Sequence, residues 1–336
     1  MTILVTGAAG FIGFHVTRAL RAAGRPVIGV DNLNDYYQPA LKQARLAQLE
    51  GDSGFAFTRL DVSDREQVLP FVTRHPEITE IVHLAAQAGV RYSLENPYVY
   101  LQANTLGQLT LQEAALKLPK LRHLLFASTS SVYGANSQLP FSIEDRVDRP
   151  VSVYAASKRA AELLAHTYAH LYGLPLTGLR FFTVYGPWGR PDMAYWSFAE
   201  KILDGRTIEI FNGGDMQRDF TYIDDIVAGV LAAIDRPAQA HDGQPPFALY
   251  NLGNNRPEPL LHFVEVLERL FERQADKRFL PMQAGDVQAT YADIEASRRD
   301  LGFAPRTDME TGLAHFAAWF KDWRAGRFTP TAGAAE

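Results

Sequence analysis

The residues best suited to chemistry stand at Tyr154-Ala155-Ala156-Ser157-Lys158. In a helix, Tyr154 and Lys158 lie four positions apart and share a face. A phenol with an ordinary pKa near ~10 is a poor base at neutral pH, but an adjacent ammonium favours the phenolate and lowers that value. Such a pair can take a proton from a sugar or alcohol hydroxyl while a cofactor accepts the hydride. Tyr-x-x-x-Lys is also an ordinary beginning for an amphipathic helix, so its meaning depends on what precedes it.

A cluster of hydroxyls precedes it. Leu121 to Ala127 reads as a buried strand ending in Ser128-Thr129-Ser130-Ser131, and open parallel sheets bind ligands at the C-terminal ends of their strands. A hydroxyl there can hold the reacting oxygen and relay its proton to Tyr154.

These groups need a scaffold, and the N-terminal stretch supplies one. Thr2 to Val5 reads as a buried strand leading into Thr6-Gly7-Ala8-Ala9-Gly10-Phe11-Ile12-Gly13, then a helical pattern through Leu20 that closes at Gly24. Strand, glycine turn and helix together bring backbone close to a pyrophosphate and aim a helix N-terminus at its charge. A second apolar run, Val27 to Val30, ends in Asp31. A carboxylate there would bind both hydroxyls of an adenosine ribose and repel a 2′-phosphate, so the expected cofactor is NAD rather than NADP.

Beyond a polar loop beginning at Asn32, a helix is expected from about Pro39 to Leu49, and a third strand from Phe55 to Leu60 ending in Asp61-Val62. Asp61 either bonds an adenine amino group or caps its own turn, and Asp64 is an N-cap. Ile81 to Leu84 is a fourth strand; it releases Ala85-Ala86-Gln87-Ala88-Gly89-Val90-Arg91, whose small residues let the backbone lie against a cofactor. Arg91 could face an anionic substrate. Pro97 opens a long helix expected to run to Leu118, stopped by Pro119. After the Tyr154 helix, Pro175 to Leu179 is a sixth strand, and the alternation of strand and helix then fails. The expectation is an α/β protein: a Rossmann-type doubly wound parallel sheet formed by 1–180 plus about 220–254, and a smaller mixed α/β substrate domain from 181–219 and 255–328. Residues 329–336 read as a loose tail.

Composition narrows the function classes. With 336 residues, 47% hydrophobic and 21% charged, the chain has ample material for a soluble core. A net charge of -5 gives no reason to expect nucleic acid as a partner. There is no cysteine, which removes disulfides, thiolate catalysis and cysteine-ligated metal, and fits a reducing cytoplasm. No leader pattern is evident, and the run Ile226 to Ile234 is far short of the ~18 apolar residues of a membrane span. A soluble cytoplasmic protein without a metal centre is expected.

The glycine turn, the hydroxyl-rich strand end and Tyr154-x-x-x-Lys158, in that order, make the chain resemble the extended short-chain dehydrogenases/reductases, in their nucleotide-sugar epimerase and dehydratase branch. More narrowly, 31–37, 83–93 and 181–193 resemble UDP-glucuronate 4-epimerases. The resemblance implies NAD contacts at Gly7, Gly10, Phe11, Ile12, Gly13, Asp31, Asn32, Asp61, Val62, Leu84, Ala85, Ala86, Ala88, Asn104, Ser128, Tyr154, Lys158 and Phe181. For a UDP-sugar it implies Gln87, Arg91, Ser93, Thr129, Ser130, Ser131, Tyr154, Phe182, Thr183, Arg190, Met193, Phe211, Arg218 and Asp286. Helices 97–118 and 154–172 resemble a pair that forms a four-helix homodimer interface in this branch.

The implied reaction interconverts UDP-glucuronate and UDP-galacturonate through a 4-keto sugar, with Tyr154 as base, Thr129 as its relay, and Lys158 holding the nicotinamide ribose and keeping Tyr154 ionised. Dehydratases of the branch carry Asp-Glu after the threonine and decarboxylases a glutamate before Val-Tyr-Gly; here Ser130 and Ser131 stand instead. A bidentate arginine suits a C5 carboxylate that must be held out of line with the C4 carbonyl. Arg190 is the first candidate and Arg91 the second. The alternatives are a 4-epimerase of a neutral or N-acetylated UDP-hexose, or a UDP-glucuronate decarboxylase.

Overall fold

The computed structural model describes residues 1–282 and 287–328; the expected nucleotide contact at Asp286 and the tail 329–336 lie outside them. The first half alternates strand and helix: β1 (Thr2–Thr6), α1 (Phe11–Ala22), β2 (Val27–Asp31), α2 (Pro39–Ala47), β3 (Phe55–Arg59), α3 (Arg65–Thr73) and β4 (Ile78–His83). Two short helices follow, α4 (Tyr92–Glu95) and α5 (Pro97–Tyr100), then a π-helical segment (Leu101–Leu106) that runs into α6 (Gly107–Ala115). Next come β5 (His123–Thr129), α7 (Val153–Tyr172) and β6 (Leu176–Phe181). The remainder is β7 (Thr183–Tyr185), α8 (Ala194–Asp204), β8 (Ile208–Ile210), β9 (Gln217–Tyr222), α9 (Ile223–Ile234), β10 (Phe247–Leu252), β11 (Pro257–Pro259), α10 (Leu260–Phe271), β12 (Lys277–Phe279), β13 (Ala289–Thr290), α11 (Glu295–Leu301) and α12 (Met309–Arg324).

Seven strands form one sheet in the order β10-β6-β5-β4-β1-β2-β3, with every neighbouring pair parallel. The order in which strands are added reverses between β1 and β4, which opens a crevice at their C-terminal ends. β10 returns beside β6 from far along the chain, pairing Leu252 with Phe181. A second sheet is built on β9, flanked by β7, β11 and β13, and β8 pairs with β12.

Both faces of the large sheet are buried, as a parallel sheet requires. Alternate residues feed two layers. Leu4, Ile28, Ile81, Leu124 and Phe126 pack with Val68, Phe71, Leu111 and Ala165 from α3, α6 and α7. Ile3, Val5, Val82 and Leu125 belong to the other cluster, with Phe14 and Leu20 of α1 and Ile226 and Val230 of α9. Each fully buried Leu, Ile, Val or Phe side chain among them is worth about 1.5–3 kcal/mol over exposure.

The helix carrying the proposed base is well delimited. Ser152 Oγ accepts from Ala155 N–H at 3.1 Å, and Gly173 ends α7 in the left-handed region at φ 64°. The helix after Pro97 departs from expectation. It ends at Ala115 rather than Leu118 and contains the π segment, whose extra residue turns Asn104 into the protein. Asp64 caps α3 as expected, accepting from Glu66 and Gln67 N–H groups. Among the described residues no helix is long and apolar enough to cross a membrane.

Candidate active site

Where β1 ends, the chain turns through three close approaches. Gly7 sits at φ 72°, and an added Cβ would lie 2.7 Å from Ala85 N. At Gly10 it would be 2.9 Å from the Gly7 carbonyl oxygen, and at Gly13 it would overlap that same oxygen. The turn therefore packs α1 onto the β4 loop with no room for side chains. The N-cap of α1, Gly10, has no capping side chain and there is no acid in the first turn, so the N–H groups there suit a phosphate. Asp31 ends β2, accepting from Ala9 N–H at 3.2 Å and Leu33 N–H at 2.8 Å.

These residues help line a cleft of about 830 Å³ at the C-terminal ends of the sheet's strands. Gly7, Gly10, Phe11, Ile12, Gly13, Asp31, Asn32, Asp61, Val62, Leu84, Ala85, Ala86 and Ala88 lie along it. So do Ser128, Thr129, Ser130, Ser131, Tyr154, Lys158 and Phe181. The same cleft is lined by Gln87, Arg91, Phe182, Thr183, Arg190, Met193, Phe211 and Arg218. The residues present fit a dinucleotide: a side-chain-free turn, a helix N-terminus, and a carboxylate at the tip of β2. Asp61 caps its own turn, since Oδ1 accepts from Ser63 N–H and Oγ–H at 2.8 and 2.7 Å while Oδ2 accepts from Asn32 at 2.9 Å.

Two expected site residues are not on the cleft wall. Ser93 is fully buried and donates to the Val90 carbonyl at 2.6 Å, within the loop after β4. Asn104 is buried behind Gln87; it accepts from Gln87 N–H at 2.9 Å and donates to Gln87 O and Ser157 Oγ at 3.0 Å each. Its part is to hold the Gln87 backbone against α7.

The electrostatics of the Tyr154–Lys158 pair differ from expectation. Burial raises the Tyr154 pKa above its ordinary value, opposed by hydrogen bonding with Thr129 and by the charge of Arg190. Lys158 instead donates to the Ala127 carbonyl at 3.0 Å. Its own pKa falls to about 8 because it is buried, partly offset by Glu162. Glu162 is itself buried and accepts from Ser128 Oγ at 2.6 Å and Arg180 at 2.8 and 2.9 Å. Beneath the cleft, His83 is kept neutral by burial, its pKa lowered to about 3, and its Nδ1 lies 2.7 Å from Thr6 Oγ1.

Several residues in and behind the cleft escaped the sequence reading. Lys42 of α2 lies 4.0 Å from Asp31 and donates to Asn34 at 2.7 Å. Burial lowers its pKa, with Asp31 opposing. Arg45, one turn further along α2, is fully buried and donates to Ala9 O, Trp188 O and Gly189 O at 2.7–3.0 Å, tying the glycine turn to the loop before α8. Asp192 pairs with Arg190, and Tyr36 donates to Asp192 at 3.2 Å. The α2 helical phase places Lys42 and Arg45 three apart on one face, which is the only sequence signal for either. Of the two arginines considered for a carboxylate, Arg91 stacks over the Phe211 ring at 4.9 Å, whereas Arg190 acts on Tyr154.

A family model described as "NAD dependent epimerase/dehydratase family" matches residues 3–253. An uncharacterised protein of Methanocaldococcus jannaschii is 49% identical over 96% of this chain and 97% of its own. UDP-glucuronate 4-epimerase 4 of Arabidopsis thaliana is 48% identical over 97% of this chain and 76% of its own. Among solved structures, the UDP-glucuronic acid 4-epimerase of Bacillus cereus in complex with UDP-glucuronic acid and NAD superposes with a TM-score of 0.87 at 34% identity, covering 96% of this chain and all of that one.

Proposed function

Because this chain belongs to the NAD dependent epimerase/dehydratase family, we propose that its cleft interconverts UDP-glucuronate and UDP-galacturonate by NAD-dependent oxidation and re-reduction at C4. The observation that carries this reading is one cleft holding Tyr154, a base for a neutral hydroxyl, and Arg190, a cation close enough to act on it.

NAD, when bound, would supply the hydride acceptor and donor that oxidation and re-reduction at C4 require. Gly7, Gly10 and Gly13 admit its pyrophosphate to the N-terminus of α1, and Asp31 takes the adenosine ribose hydroxyls. Tyr154 removes the proton of the sugar 4-hydroxyl and later gives it back, with Thr129 bonded to the same oxygen. Lys158, donating to the Ala127 carbonyl, would give its remaining N–H donors to the nicotinamide ribose, while the Thr129 hydrogen bond and the Arg190 charge oppose the burial that raises the phenol's pKa. Arg190 grips the C5 carboxylate and fixes its direction. Ser130 and Ser131 are neutral donors, and the absence of a carboxylic acid at either position disfavours elimination of water.

Arg218 pairs with the nucleotide pyrophosphate, and Phe211 with its stacked Arg91 flanks the uracil. In this reading 1–180 with about 220–254 holds NAD, while 181–219 and 255–328 hold the UDP-sugar. The assembly is a homodimer through the helices of 97–118 and 154–172. Tyr98 is 81% exposed, Leu163 54% and Leu171 62%, apolar surface that a second copy would cover.

Proton NMR of UDP-glucuronate incubated with the protein and no added reductant tests the reaction. The expected result is approach to a mixture with UDP-galacturonate. Inertness toward UDP-glucuronate combined with turnover of UDP-glucose would reject it.

A further inference from the structure

An arginine that keeps a carboxylate out of one alignment is useful only if the guanidinium is itself aimed. Arg190 is held at both ends. Its backbone N–H donates to the hydroxyl of fully buried Tyr195 at 3.1 Å, and the carbonyls of Trp188 and Gly189 are gripped by Arg45. Its side chain is paired side-on, with Nε 3.0 Å from Asp192 Oδ1 and Nη2 2.5 Å from Asp192 Oδ2. Asp192 Oδ2 also accepts from Tyr36 Oη at 3.2 Å, a contact that crosses from the loop before α8 to the loop after β2. The side-on pairing engages one edge of the guanidinium and leaves the Nη1 N–H groups outside it. The contact is ionic: burial pushes the Asp192 carboxyl up, but the Arg190 charge and hydrogen bonds from Arg190 and Tyr36 outweigh it and leave it below the usual range.

We propose that Asp192, anchored by Tyr36, is a positioning residue that aims Arg190 at the substrate carboxylate and so sets the partition of the 4-keto intermediate between epimer and decarboxylated product. This rests on the reading above that the sugar carries a C5 carboxylate. The competing loss balances within the substrate and water. The C5–C6 bond breaks, its electron pair moves into a C4 enolate, carbon dioxide leaves, and C5 takes a proton from water. That bond breaks only when it lies parallel to the carbonyl π system. A guanidinium already fixed before substrate arrives excludes this geometry; one that can rotate freely lets the carboxylate swing through it. The opposite role, a decoy that competes with substrate for Arg190, makes the contrary prediction that removing the Asp192 charge tightens binding.

The test uses the full-length enzyme, with UDP-glucuronate labelled at C6, comparing wild type, Asp192→Asn and Tyr36→Phe. Epimer is followed by proton NMR and released carbon dioxide by its label. The ratio of carbon dioxide to epimer is expected to rise about tenfold for Asp192→Asn and about threefold for Tyr36→Phe, with KM raised by a larger factor than kcat is lowered. A wild type that fails to epimerise UDP-glucuronate sinks the proposed function itself. A wild type that epimerises, beside variants whose ratio does not move, overturns the role of Asp192 alone, and so does a lowered KM in Asp192→Asn. Loss of folded protein reduces both products together, so an unchanged ratio in the remaining enzyme counts against the role as well.

Discussion

Glu162 stands one helical turn beyond Lys158 on α7, and both of its oxygens are taken by Arg180, at 2.8 and 2.9 Å. The carboxylate nearest the buried ammonium is thus already committed to another cation. Lys158 keeps only part of its field, which is why burial prevails and its pKa falls to about 8.

The pH dependence of stability follows from that shift. Because the folded value lies below the ordinary 10.5, the buried charge on Lys158 destabilises the fold at pH below about 8, and this penalty fades as pH rises from about 8 to 10.5. In cofactor-free protein, Lys158→Met should therefore gain stability relative to wild type between about pH 10 and about pH 7, as read by urea denaturation at both values. A difference between the two proteins that is the same at both pH values would contradict the assignment.

Tyr154 should titrate above a free tyrosine in cofactor-free protein, since burial raises its pKa. The ultraviolet difference titration of wild type minus Tyr154→Phe isolates that phenol. Adding NAD brings a cationic ring into the cleft and should move the midpoint down. Tyr154→Phe should retain bound NAD while turnover drops by about 10²–10⁴-fold.

Replacing Glu162 strips Arg180 of its partner in the interior. Arg180 is 1% exposed and has one further acceptor, the Tyr133 hydroxyl at 3.1 Å. Glu162→Gln should cost about 3–5 kcal/mol in chemical denaturation, the penalty of a buried charge left uncompensated. A loss comparable to that of a surface ion pair, below about 1 kcal/mol, would mean that Arg180 finds water or another acceptor.

Gly13→Ala probes the cofactor turn. The added methyl overlaps the Gly7 carbonyl oxygen, a backbone atom held between β1 and the β4 loop. NAD affinity should fall by at least about tenfold, with a stability loss of about 1–3 kcal/mol, checked by equilibrium dialysis and thermal melts.

The dimer surface is tested by Tyr98→Glu together with Leu163→Glu. Both side chains point outward on α5 and α7, so folding should be unaffected while light scattering shows a mass near that of one chain. Retention of the double mass would place the contact elsewhere.

What could be read without coordinates was whatever depends on neighbours a few residues apart. Gly7, Gly10 and Gly13 belong to one turn, Tyr154 and Lys158 to one helical face, and Asp64 and its two N–H partners to one cap; short-range geometry makes such patterns legible. Strand ends were off by one to three residues, as at β4 and β5, because the last ladder bond depends on the neighbouring strand. The π turn that buries Asn104 has no local signature, and the helix expected to reach Leu118 ends at Ala115.

Tertiary structure alone decided the charges. Arg45 reads as an ordinary helix cation until the fold brings it to carbonyls 143 and 144 residues away. Tyr36 meets Asp192 across 156 residues, and no spacing rule connects them. The direction of the Tyr154 shift went against expectation for the same reason: a pKa is set by everything packed around a group, and Lys158, its sequence neighbour, turns to Ala127. The sequence by itself determined which groups the cleft contains, since residue type and local spacing are chemical facts of the chain. Their charge state and aim came from contacts that exist only once distant segments share one interior.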